Sequence, residues 1–167
     1  MIENSKEHAP KRQRPPLMLC HYLNPHSLFI CEGSVQKESL IDQMINSLVQ
    51  DSPVVEADRV RQAVWDRERE GRTVLENGLA IPHARILGLK ELKASLAILP
   101  QGYLDPQENV LVRLVFLFLS PQEQFETHLQ MLAKISRLFQ DAQFQGQLLS
   151  VKSAEEAFQL IQRQERV

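Results

Sequence analysis

Apolar residues recur on two different periods along this chain, and the change of period divides it into elements. From about Val35 to Gln50 they fall at Leu40, Ile41, Met44, Ile45, Leu48 and Val49, the repeat that lines one face of a helix. Ser52-Pro53 breaks that run, and a second helix is expected from about Glu56 to Glu70, with Val60, Ala63, Val64 and Arg67 on one stripe. A third, from about Gln124 to Gln140, sends Leu129, Leu132, Ile135, Leu138 and Phe139 inward. A short helix follows, from Asp141 or Ala142 to Ser150. Ser153-x-x-Glu156 then forms a capping box that opens the last helix, which runs to about Arg163.

The stretches between these helices are short and β-rich. Leu17 to Cys31 is expected to hold two short strands split by the Asn24-Pro25 turn signal, the second being Ser27 to Cys31. Leu79-Ala80-Ile81 suffices for a brief buried strand. Ala94 to Leu99 reads as a strand ended by Pro100, with Gln101 to Asn109 as a polar loop. Val110 to Leu119 is almost continuously apolar, which marks an interior strand covered on both faces, and Ser120-Pro121 closes it. Helices alternating with strands predict an α/β architecture around a covered central sheet.

With 167 residues and 43% hydrophobic content, the chain fits one domain with a real core. That domain is expected over residues 17–167. A disordered tail of residues 1–16 precedes it, carrying Lys11, Arg12, Arg14 and Pro15-Pro16. The net charge of −2, from 19 basic and 21 acidic residues, supplies no overall field for nucleic acid or an anionic membrane. The longest apolar run, Leu114 to Leu119, falls far short of the roughly 20 residues that cross a bilayer. No secretory signal core opens the chain, so no direct membrane insertion and a cytoplasmic location are expected. Two cysteines make no disulfide framework. Cys20, His21, His26 and Cys31 lack CxxC or HxxxH spacing and read as packing or surface residues, so no metal is expected.

Candidate chemistry gathers in Asn77 to Arg85. Gly78 permits backbone geometry closed to other residues, and Pro82 fixes its own φ while holding Ile81 extended, so His83 is delivered from the end of a short apolar run. Such an imidazole serves as nucleophile, base or ligand, or is simply a loop histidine. Two further residues bear on that choice. Arg67 lies sixteen residues before His83, in a run that alone reads as a solvated, salt-bridged helix end. His128 lies forty-five residues after it, near the start of a helix, where the macrodipole disfavours a charged ring and a neutral ring or an anionic neighbour is expected.

Taken jointly, Arg67-Glu68, the Asn77-Gly78-x-Ala80-x-Pro82-His83 core, the apolar strand ending near Pro121, and His128-Leu129 with Leu132-Ala133, Ser136 and Leu138-Phe139 form a recognisable set. The set resembles enzyme IIA of the fructose/mannitol class of the phosphoenolpyruvate-dependent sugar phosphotransferase system, including its nitrogen-regulatory relatives. The resemblance covers roughly residues 17 to 163. It implies a single mixed central sheet with helices on both faces, the mannitol/fructose-type enzyme IIA fold. It also implies that His83 accepts a phosphoryl group from the histidine-containing phosphocarrier protein and passes it to a cysteine of enzyme IIB, or uses it as a signal to a regulatory target protein. Arg67 and His128 are then its neighbours, Thr73, Asn77 and Gly78 are candidates for the phosphate pocket, and no cofactor is required.

The residue types suit that chemistry. A neutral imidazole is a competent nucleophile near pH 7, and phosphoryl transfer depends on alignment and compensation of negative charge, which Arg67 and a second imidazole supply. Exposed apolar residues around an accessible site would serve protein docking. The approach Arg72-Thr73-Val74-Leu75-Glu76 departs from the Ser-Thr-Gly-x-Gly run of many relatives. Val74 is unsuited to a positive φ, and Glu76 adds negative charge if it points inward, with Arg72 available to offset it. The alternative is a regulatory protein-binding module on the same fold that transfers no phosphate. A histidine-based hydrolase is disfavoured by the lack of a paired serine or cysteine nucleophile motif.

Overall fold

In chain order the elements are β1 (Leu28–Ile30), α1 (Lys37–Val49), α2 (Ala57–Glu70), β2 (Leu79–Ala80), β3 (His83–Ile86), β4 (Lys93–Asp105), β5 (Val110–Pro121), α3 (Phe125–Leu138), α4 (Ala142–Leu148) and α5 (Ala154–Glu165). The computed structural model describes residues 14–50, 52 and 55–167. Residues 1–13 of the expected tail, and Pro53 of the expected helix break, lie outside the described residues. Among the described residues no helix is long and apolar enough to cross a membrane.

The apolar run beginning at Val110 becomes β5, the strand on which the sheet is built. It pairs antiparallel with β4, which pairs parallel with β1. On its other side β5 pairs parallel with β2 and then with β3. The sheet is mixed, and side-chain parity along β5 sorts the core into two layers. Leu114, Phe116 and Phe118 join Met131, Ile135, Phe144 and Ile161 of α3, α4 and α5. Val115, Leu117 and Leu119 join Ile41, Met44, Val60 and Val64 of α1 and α2. Helices thus cover both faces, which explains why β5 has no polar alternation in its second half.

Four local expectations need correction. The first strand expected after Leu17 is instead a 3-10 turn, Leu19–His21, because the buried Glu165 carboxylate accepts from the amides of Leu19 (2.6 Å) and Cys20 (3.0 Å) and holds this segment against α5. The strand expected to end at Pro100 continues to Asp105. Pro100 falls where the β4–β5 register shifts, so its missing N–H removes no ladder bond. Gly102 sits at the same shift with φ of 70°, and a Cβ there would lie 2.5 Å from the Val112 carbonyl oxygen. On α3 the buried stripe is His128, Met131 and Ile135, while Leu129 is 49% exposed. Finally, His83 does not trail a strand but opens one, β3, before the charged turn.

One polar cluster ties the layers together. Lys37 at the start of α1 reaches Asp105 (3.0 Å) and Glu68 near the end of α2 (3.4 Å), while the Thr73 hydroxyl donates to Glu68 (2.5 Å). Asp105 also accepts from the amides of Gln107 and Glu108, closing the β4–β5 turn. Burial works against the Lys37 ammonium, but the hydrogen bond and charge of Asp105 and the charge of Glu68 outweigh it, and its pKa is raised.

Candidate functional site

The edge strand beside β5 is interrupted at Ile81-Pro82, and the interruption builds the site. Pro82 has no N–H to give a ladder, so pairing stops at Ala80 and resumes at His83. The Ile81 carbonyl is left out of the strand pairing and accepts from Nδ1 of His83 at 2.6 Å. A carbonyl only accepts, so Nδ1 carries the hydrogen, and a neutral His83 ring keeps its lone pair on Nε2. The imidazole stacks on Phe118, its register partner on β5, with ring centroids 5.3 Å apart and planes 8° from parallel. Its 5% exposure makes it more covered than the accessible site expected from sequence. Burial is the main cause holding its pKa below the ordinary value; the Ile81 bond opposes that and Arg67 adds to it.

His128, on the first turns of α3, places its ring 5.2 Å from that of His83 and 5.0 Å from Phe118. Its Nδ1 lies 2.6 Å from the hydroxyl of Ser120. Burial, then the charges of His83, Arg85 and Arg67, push its pKa down to about 4. Both imidazoles are therefore neutral at pH 7. Neither Nε2 has a hydrogen-bond partner among the described residues, and neither is sealed from solvent.

The two rings open onto a cleft of about 460 Å³ whose lining includes Arg67, Glu70, Arg85, Phe125 and Leu129. Arg67 projects from the end of α2 and makes a single long bond to the Gly71 carbonyl, 3.4 Å, so most of its donors remain uncommitted. Arg85 shares the strand face of His83 by the two-residue period, and its guanidinium lies 5.1 Å from the centre of the Phe125 ring. Phe125 is 53% exposed, so the cleft has an apolar rim beside the two guanidinium groups, with Asp66 and Glu70 also in its lining.

The structure thus gathers His83, His128 and Arg67 in one cleft, and leaves Thr73, Asn77 and Gly78 outside its lining. Those three belong to a small hairpin in which Val74 bridges Ala80, Leu75 N–H bonds Leu79, and Ile81 N–H bonds Thr73. Asn77 donates to the Phe139 carbonyl and accepts from Leu79. Gly78, at φ of 84°, packs so closely on β5 that a Cβ would lie 2.8 Å from the Leu111 carbonyl oxygen. Val74 is buried without a positive φ, Glu76 points to solvent, and Arg72 pairs with Glu108 instead of Glu76. The non-glycine approach is therefore compatible with the fold, since it forms a hairpin there. Sequence reasoning overlooked Arg85 and Ser120. Arg85 was signalled by its position two residues after His83 on a strand.

This fold has counterparts among solved structures. The crystal structure of nitrogen regulatory protein IIA-Ntr from Neisseria meningitidis is similar with a TM-score of 0.74 and 25% identity, over 86% of this chain and 98% of that one. In sequence, the chain is 29% identical over 126 residues to the nitrogen regulatory protein of Pseudomonas aeruginosa, covering 75% of this chain and 82% of the relative. It is 24% identical over 154 residues to the fructose-specific EIIABC component of Bacillus subtilis, covering 90% of this chain but only 24% of that longer one. The family "Phosphoenolpyruvate-dependent sugar phosphotransferase system, EIIA 2" matches residues 21–164. The chain belongs to that family.

Proposed function

We propose that this chain is a cytoplasmic phosphocarrier that accepts a phosphoryl group on Nε2 of His83. The observation that carries the reading is the bond from His83 Nδ1 to the Ile81 carbonyl, which leaves the nucleophilic lone pair of a neutral ring on the cleft side. In the transfer step a bond forms between Nε2 and phosphorus, and the bond from phosphorus to the donor nitrogen breaks with its electron pair remaining on the donor. The Nδ1 proton stays on His83, shared with Ile81, so the phosphorylated ring carries a positive charge beside the new anion. Arg67 offers paired N–H donors to the phosphoryl oxygens, and the His128 ring lies beside that of His83, 5.2 Å between centroids. Arg85 adds positive charge at the mouth. Thr73, Asn77 and Gly78 serve as scaffold for the strand that delivers His83.

The donor under this reading is the histidine-containing phosphocarrier protein, and the recipient is a cysteine of enzyme IIB or a regulatory target. The exposed rim at Phe125 and Leu129 gives such a partner an apolar seat next to the nucleophile. Similarity to nitrogen regulatory proteins favours a second reading, in which the phosphorylation state of His83, or the unphosphorylated surface alone, controls a bound protein. Incubation with labelled phosphoenolpyruvate and the general phosphotransferase proteins tests the first reading. Label is expected on the wild-type chain and absent from His83→Ala; label retained by that variant overturns the assignment. A partner bound equally by wild type and His83→Ala would support the non-transferring regulatory form.

A further inference from the structure

Ser120 has no place in the scheme so far, yet it is the most constrained polar side chain next to the site. Its position continues the row Leu114, Phe116, Phe118 on the α3 side of β5, where every earlier member is apolar and at most 1% exposed. Ser120 itself is 0% exposed. A hydroxyl enclosed in such a row is unfavourable unless bonded, and its side-chain bond goes to Nδ1 of His128 at 2.6 Å. In the parallel register Ser120 stands beside Arg85, as Phe118 stands beside His83, so the pair Ser120–His128 sits directly next to the reacting ring.

The direction of that bond follows from counting donors. If Nδ1–H of His128 donated to Ser120, the serine hydrogen would be left enclosed with no other partner among the described residues, and an unmade donor is costly. With the hydroxyl donating to Nδ1, that hydrogen is satisfied and the imidazole hydrogen resides on Nε2. The two histidines then hold opposite tautomers: His83 presents a lone pair to the cleft, and His128 presents an N–H. This complementarity suits a phosphoryl group bound between them. A lone pair on His128 Nε2 would face the phosphoryl oxygens with repulsion, whereas an N–H donates to them.

We propose that Ser120 is a positioning residue that fixes His128 as the Nε2–H tautomer, so that a neutral imidazole donates a hydrogen bond to the phosphoryl group carried by His83. The inference rests on the phosphocarrier reading for its functional half, while its structural half concerns the unphosphorylated chain.

The two halves are tested separately. Nitrogen NMR of the full chain labelled in its histidines reads each tautomer at pH 7 before any phosphorylation. His128 is expected to show a bare Nδ1 and a protonated Nε2, and His83 the reverse. In Ser120→Ala the His128 signals move toward a tautomer mixture, and the phosphoryl-transfer rate falls about 5- to 10-fold, the scale of one hydrogen bond. Ser120→Thr, which keeps the hydroxyl, restores both the tautomer and the rate, and this rescue separates positioning from a packing defect. A wild-type His128 protonated on Nδ1 overturns the proposal, as does a Ser120→Ala chain that transfers at the wild-type rate. If His83 takes no phosphate while His128 keeps the Nε2–H signature, the phosphocarrier reading fails and the tautomer assignment stands.

Discussion

Two polar clusters flank the last turn of α2 and differ in how their bonding capacity is used. Glu68 turns toward Lys37, Asp105 and Thr73, where the charges and hydroxyl are tied to one another and to the amides of the β4–β5 turn. Its neighbour Arg67 turns toward His83 and His128, where each ring spends Nδ1 on the scaffold and keeps Nε2 uncommitted. The first cluster spends its capacity within the fold; the second leaves Nε2 atoms and guanidinium donors without partners among the described residues. Tyr103 qualifies the contrast, because its hydroxyl is enclosed with no partner among the described residues, beside the charges of Asp105 and Glu68, which reinforce burial in raising its pKa.

The contrast can be broken from either side. Asp105→Ala removes the main partner of Lys37 and the acceptor of two turn amides, and is expected to cost about 3–5 kcal/mol of unfolding free energy in denaturant titrations. Transfer per folded molecule should be unchanged, and a large loss of transfer would show that the two clusters are coupled. Arg67→Ala should do the opposite, slowing phosphoryl transfer on the order of 100-fold while the melting temperature stays close to wild type. Unfolding of this variant would place Arg67 with the structural cluster.

A pH series sharpens the difference. The His128 pKa in the folded chain, about 4, lies below the ordinary 6.5, so the unfolded chain takes up its proton first as pH falls. The contribution is full above pH 6.5 and is lost as pH falls through about 4, and a shift of this size corresponds to about 3 kcal/mol. His83 acts in the same direction. Chemical denaturation of wild type and His128→Gln across this window should show the flatter dependence in the variant; parallel curves would mean the ring is not held neutral. The smallest effect belongs to the rim. Leu129→Ser should raise the apparent KM for the donor protein several-fold, with little change in stability, since this leucine is half exposed.

Much of this arrangement was legible in the sequence because it depends on local pattern. The helical repeats of α1 and α2, the apolar β5 and the Pro82-His83 step each carry their own signal, and the spacing of Arg67, His83 and His128 linked them. What sequence did not reveal depends on long-range partners. Glu165 converts an expected strand near Leu19 into a turn from the far end of the chain. On α3 the expected inward Leu129 is exposed and Met131, which was not among the expected core residues, is buried, because Leu129 lines the cleft. The local partners of Asn77 and Gly78 were equally hidden: Gly78 approaches the Leu111 carbonyl closely, and Asn77 bonds the Phe139 carbonyl. Ser120 was read as the end of a strand, since nothing local indicates that its hydroxyl meets His128.

The central claim is that Nε2 of His83 is the atom that takes the phosphoryl group. The most direct test is to phosphorylate the full chain, labelled in its histidine nitrogens, with phosphoenolpyruvate and the general phosphotransferase proteins, and to read the phosphorus–nitrogen coupling by NMR. Coupling to Nε2 of His83, with its Nδ1 still protonated, is the predicted result. Phosphate on Nδ1 of His83, or on any other residue, would contradict the account.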